Sequence, residues 1–356
     1  MRGADRGACG GTNGQGGGIS RRALLRAGAL VAVAGPLAAA CTSQPPPPPP
    51  DPLQPMLKAA TKDAATAKAA AATFTDNGPT LAVIAAVRLQ QATALRAEVN
   101  RAAGVPAGAT PTASPTTTAK PPKLADESTV TAQLMQGLTM AQHQAASLLP
   151  KLPRYRTGLV GSVAAGCASL AEALDSKPIT VTSATSAAPA PSGGTATLNG
   201  STSATPSANT PLPADTGTAL QHALGAENAA LWLYGTASAF VSSSVDAELD
   251  AAMNAVQNLR DASGQRLSSG GVTPQPAQPA YLVPTPVTNQ PTALAALAVA
   301  ESDATVAWRS VLEHTDDSGL RAAALAALVD SAVRQTRWRR LSGQSPASIA
   351  MPGSAA

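Results

Sequence analysis

Eight stretches of this chain repeat apolar residues at the three-to-four-residue spacing of amphipathic helices, and they fall into two sets of four. The first set lies between Asp51 and Ser176, with segments over 52–74, 80–103, 123–149 and 156–174. The second lies between Leu212 and Leu341, with segments over 215–241, 245–267, 291–314 and 317–341. Within each set the longest connection falls in the same place, between the second helix and the third. It is a Pro/Thr-rich stretch over 104–122 in the first set and a Pro-rich one over 270–290 in the second. Between the sets, 177–211 holds Ser, Thr, Ala, Pro and Gly without apolar periodicity, which reads as a disordered linker. The last residues, 343–356, read as a disordered tail.

Long connections are uncommon inside compact domains. A four-helix bundle with one long crossover between its second and third helices is the exception, and that crossover marks ferritin-like topology. The expected fold is therefore all-α: a ferritin-like four-helix bundle over 212–342, preceded over 52–176 by a second helical bundle of the same kind. Aromatic residues make up 2% of the chain, too few to fill the pleated core of a β-sandwich or barrel. A faint echo links the sets: Leu95-Arg96 and Gly104-Val105 recur as Leu259-Arg260 and Gly271-Val272. The spacings are unequal, so duplication stays open.

The first forty residues read as an address. Ser20 to Arg26 spells S-R-R-A-L-L-R, and an apolar run follows from Ala27 to Ala40. Paired Arg21 and Arg22 ahead of a short apolar stretch have the form of a twin-arginine export signal. The run is shorter than the roughly 20 residues that span a bilayer. It ends in L-A-A-A-C, a lipobox-like site with Cys41 as the residue to be lipidated, and residues 41–51 then supply a Pro-rich tether. The expected partners are thus the export machinery and, through the lipid, the outer face of the cytoplasmic membrane. Cys9 lies in the removed segment, which leaves Cys167 as the mature chain's one unlipidated cysteine. It sits in the apolar segment V-A-A-G-C-A-S-L and reads as a small core residue.

Net charge confirms what to discount. The chain carries +4, and residues 1–40 hold five arginines and one aspartate, which is all of it. The mature chain is neutral, so the basic balance is no sign of nucleic acid.

Four stretches carry a resemblance to a known family: L-Q-H-A-L-G-A-E-N-A-A-L-W-L-Y-G (220–235), P-A-Y-L-V-P-T-P-V (279–287), A-E-S-D-A-T-V-A-W (300–308) and A-V-R-Q-T-R-W-R (332–339). Together they resemble an actinobacterial domain family of unknown function classed as ferritin-like. The resemblance implies a four-helix bundle over the second set and no established activity.

A ferritin-like bundle invites a di-iron or di-manganese centre, which needs four carboxylates and two histidines, including two Glu-x-x-His pairs. No glutamate here has a histidine three positions on, and none of His143, His222 and His314 has a glutamate three positions before. No metal or cofactor is therefore expected. Polar residues still fall on apolar stripes. Glu227 lies on the stripe Leu220, Leu224, Leu231, Tyr234, and Glu301 on Leu294, Leu297, Ala304, Trp308, while Arg260 lies on or beside the second helix's stripe. Buried charges are tolerable when paired. We expect a Glu227–Arg260–Glu301 cluster inside the bundle, either structural or a small-ligand pocket. Arg334 to Arg340, R-Q-T-R-W-R-R, reads as cations complementing a helix C-terminus. No G-x-S-x-G elbow or G-x-x-x-x-G-K loop occurs. The expected role is a non-enzymatic envelope interaction or scaffold protein with no catalytic residues. The alternatives are a metal- or cofactor-dependent redox protein with unorthodox ligands, and a small-ligand-binding protein.

Overall fold

The structure is a computed structural model that describes residues 49–105, 124–175, 211–283 and 285–354. Arg21, Arg22, Cys41 and the linker over 177–210 lie outside the described residues, as does most of the loop over 104–122. The described residues are helical: α1 (Gln54–Ala71), α2 (Gly78–Ala102), α3 (Glu127–Leu148), α4 (Arg154–Asp175), α5 (Ala214–Ala237), α6 (Ser243–Ser269), α7 (Gln290–His314) and α8 (Ser318–Leu341).

Local chemistry sets the helix ends. Asp126, Asn289 and Asp317 are N-caps whose side chains accept backbone N–H bonds from Thr129, Thr292 and Leu320. Three helices end alike, with Gly104, Gly271 and Gly343 at φ of 70°, 77° and 78°. In each, the residue after the glycine donates its N–H five residues back: Val105 to Asn100, Val272 to Leu267 and Gln344 to Arg339. This is the Schellman closure, which needs a residue that tolerates the left-handed region.

Both sets pair their helices in the same way. The first helix packs on the second and the third, and the fourth packs on the third. The N-termini of the second and third helices meet: Asn77 Nδ2 donates to Glu127 Oε1 (2.8 Å) and the Ser242 N–H to Gln290 Oε1 (2.8 Å). Second and third helices therefore run parallel, and the connection between them must travel the length of the bundle. This is the crossover topology expected from the loop lengths.

The described residues from Pro50 onward form one compact unit. The two sets meet along α4, which packs on α2 and α3 on one side and on α7 and α8 on the other. Gly158 and Gly161 of α4 make this approach possible, because a Cβ at either would collide with Glu313 or Leu312 of α7. Bonds cross the boundary: Thr157 Oγ1 donates to the Leu312 carbonyl (2.7 Å), and Ser169 Oγ to that of Ala332 (3.1 Å). Arg337 clasps Glu172 with two bonds of 2.8 and 3.1 Å. One apolar cluster extends from Leu53 to Ala332 through both sets, and a second, around Tyr234 and Trp338, fills the rest of the second set. Among the described residues only α4 is long and apolar enough to cross a membrane, and 72% of its most apolar window is buried in this core.

The C-terminal tail departs from expectation. Residues 343–354 are laid into the groove between the sets instead of being disordered. Gln91 Nε2 donates to the Ala350 carbonyl (2.9 Å), Ser162 Oγ to that of Pro352 (2.6 Å), and Arg339 Nε to that of Ala347 (3.0 Å). The tail's sequence is not apolar enough to suggest this. Its backbone carbonyls are what the other helices bind.

Candidate functional site

The interior of the second set holds one closed polar cluster and one open acid. On α7 the stripe Leu294, Leu297, Glu301, Ala304, Trp308 steps by three and four, which points Glu301 inward. Arg334 reaches it from α8 with two bonds, Nε to Oε1 (2.7 Å) and Nη2 to Oε2 (2.9 Å). Tyr234 of α5 donates its hydroxyl to Oε1 (2.6 Å), and the Trp338 indole N–H donates to that hydroxyl (2.9 Å). The Tyr234 and Trp338 rings meet edge-on at 6.1 Å and 67°. Burial, reinforced by the neighbouring Glu301, pushes the Tyr234 hydroxyl well above its ordinary pKa, so it stays a donor.

Glu227 of α5 is 1% exposed. Its Oε1 accepts a long bond from Ser263 (3.4 Å), while its Oε2 and the nearby Trp308 indole nitrogen make no hydrogen bond. Burial pushes its carboxyl up to about 8, against the opposing pull of Ser263, the Arg334 charge and Trp308.

The expected cluster is thus corrected in its cation. Glu227 and Glu301 are both interior, but Arg260 is not their partner: it lies half-buried with its guanidinium on Asp261 (2.6 Å). The reason is the 100° rotation per residue. Leu259 and Ser263 occupy the inward positions of α6, so Arg260 is turned aside. Arg334 takes the role, and the arginine-rich segment read as a terminal cap supplies a core residue. The signal was present: Leu320, Ala324, Ala327, Ser331, Arg334 and Trp338 step by four and three along α8.

The first set hides a polar cluster that sequence reasoning missed. Arg88 of α2 donates to Asp63 of α1 (2.7 Å), to Gln91 Oε1 (2.7 Å) and to Cys167 Sγ of α4 (3.0 Å). Gly137 of α3 lies opposite the Asp63 carboxylate, where a Cβ would stand 3.1 Å from Oδ1. Burial pushes the Cys167 thiol up to about 11, which keeps it protonated and unreactive. Asp63 is the one aspartate of α1, and alanines on every face of that helix gave no sign that it turns inward.

A ferritin-like frame implies a di-metal centre, and these side chains do not fit one. Both Glu301 oxygens are bound by Arg334, which adds positive charge where a metal would need it removed. Among the described residues no three His, Cys, Asp or Glu side chains gather closely enough to hold an ion.

The open site lies on the other side of α5 and α7. There the crossover loop folds over the two helices and leaves a cleft of about 390 Å³. Ala226 and Ala229 of α5 and Ala295 and Ala296 of α7 form its floor, and Trp232 and Tyr281 its aromatic lip, with ring centroids 6.0 Å apart and planes at 56°. The Gln278 N–H donates to the Tyr281 hydroxyl (2.9 Å) and fixes the loop's bend. Among the described residues Asp303 is the one charged residue lining the cleft.

Residues 219–356 match the family described as Domain of unknown function (DUF4439). The C-terminal block carries a DUF4439 domain. Its bounds take in the cleft, the Glu301–Arg334 pair and the docked tail. A solved structure of a conserved hypothetical protein from Mycobacterium tuberculosis is 33% identical, covering 36% of this chain and 98% of its own, with a TM-score of 0.36. No curated protein matches the chain.

Proposed function

We propose that this protein is an exported, lipid-anchored envelope module that acts through its surface, as an interaction or scaffold protein, and not through chemistry in its bundle interior. The observation that carries the reading is the closed set around Glu301. Two arginine bonds and a tyrosine hydroxyl occupy the carboxylate where a ferritin-like enzyme would need free ligands. Such a pair fixes which helix faces meet and leaves the Glu301 carboxylate closed to a metal. The anchoring half of the reading rests on the sequence alone, on Arg21 and Arg22 ahead of a short apolar run and on Cys41 at its end.

Two measurements test it. Metal analysis of the full chain purified without chelator should return no stoichiometric iron or manganese; stoichiometric metal favours the redox alternative. Cys41→Ser should move the protein from the membrane fraction to the soluble one, and unchanged membrane retention would overturn the lipid anchor.

A further inference from the structure

The cleft under the crossover loop has a composition that selects among ligands. Its volume, about 390 Å³, lies within the range of small-molecule sites, about 300–1,000 Å³. Four alanines keep the floor shallow on both helices, so the space is bounded by α5, α7 and the loop and is not filled by its own side chains. Exposed apolar residues cluster here, Leu282 fully and Val299 47% exposed, where burial by a ligand would be favourable.

The polar groups narrow the class further. The Tyr281 hydroxyl is already engaged by the Gln278 N–H. Asp303 stands at the mouth with no ion pair and no hydrogen bond among the described residues, and partial burial raises its carboxyl above the ordinary aspartate value. A single unneutralised carboxylate lining the same cleft as two aromatic rings and an apolar floor favours a cation that carries hydrocarbon. The same carboxylate disfavours an anion of equal shape.

We propose that this cleft is a binding site for a small lipophilic organic cation, with the hydrocarbon lying on the alanine floor and the charge beside Asp303 and the aromatic lip. The site deepens the reading of a surface-acting module, on which it rests, and it makes no use of the buried charges.

Probes with eight-carbon chains test the assignment: octylammonium, octanol and octanoate, titrated calorimetrically into the full chain at low salt and neutral pH. The expected order is cation, then alcohol, then anion, with about tenfold between cation and anion. Ala229→Leu and Ala295→Leu, both at half-buried positions where leucine suits a helix, should each weaken all three probes about tenfold by filling the floor. Asp303→Asn should erase the difference between cation and anion while leaving octanol unchanged. Equal binding of the three probes by the native chain overturns the proposal, as does absence of binding or wild-type affinity in both leucine variants. Metal content reports on the interior and these titrations on the cleft, so failure of one reading is distinguishable from failure of the other.

Discussion

Glu227 and Glu301 face the same bundle interior from neighbouring helices, yet Glu301 has both oxygens bonded and Glu227 has one oxygen with no partner. A buried carboxyl without a paired cation keeps its proton. In the unfolded chain Glu227 ionises near 4.5, and in the folded chain burial raises that to about 8. Between these values the folded state binds the proton and the unfolded state does not, so folding stability falls as pH rises through the window. Below about 4.5 both states are protonated and the penalty vanishes. Glu227→Gln should therefore be less sensitive to pH than the native chain, and more stable than it by a few kcal/mol above pH 8. Urea unfolding at pH 5 and pH 8.5 checks this; parallel losses in the two proteins would place Glu227 in contact with water. Sequence periodicity put both glutamates inside. It could not distinguish them, because their difference lies in what α8 brings to one and not to the other.

At the scale of elements, the closed cluster joins three helices: α5 through Tyr234, α7 through Glu301 and α8 through Arg334 and Trp338. Truncating one partner of a buried pair strands the other's charge, at a cost of about 3–5 kcal/mol. Arg334→Met and Glu301→Gln should each lower stability on that order, and the double variant should lose less than their sum. Chemical denaturation of the four proteins measures the coupling. Additive small losses would mean the pair is solvated. The repeated Gly-Val pair also finds its explanation at this scale. Gly104-Val105 closes α2 and Gly271-Val272 closes α6 with the same Schellman bonds. A capping requirement at equivalent helix ends selects glycine in either case, so the echo is accounted for by helix-end geometry whether or not the two sets share an ancestor. The buried pairs differ in place, α1 with α2 in one set and α7 with α8 in the other.

At the scale of the whole molecule, α4 is shared property. It completes the first set and at the same time is the surface on which α7, α8 and the tail are laid. Arg154 at its start binds Asp215 and Asp316, and Glu172 near its end holds Arg337. The two sets were expected as separate bundles on a linker, and the continuous core instead couples their folding. Scanning calorimetry of the full chain should show one transition whose calorimetric and van't Hoff enthalpies agree. Two resolved transitions would mean that the sets unfold independently and that the α4 boundary is weak.

Local sequence is enough to set the helices, because 3.6-residue periodicity and capping residues are local, and to set the crossover, because loop length is countable. It also placed Glu227 and Glu301 on inward stripes. Which arginine neutralises Glu301 was decided by tertiary contacts: Arg334 lies on the inward stripe of α8, but nothing along that helix says that α8, and not α6, brings its cation to Glu301. The joining of two helical sets by a shared apolar cluster was likewise settled there, along with the seating of the tail and the cleft of small residues under the crossover loop. Each of these depends on side chains far apart in the chain meeting at a distance of ångströms, and periodicity along one helix carries no information about what stands across from it.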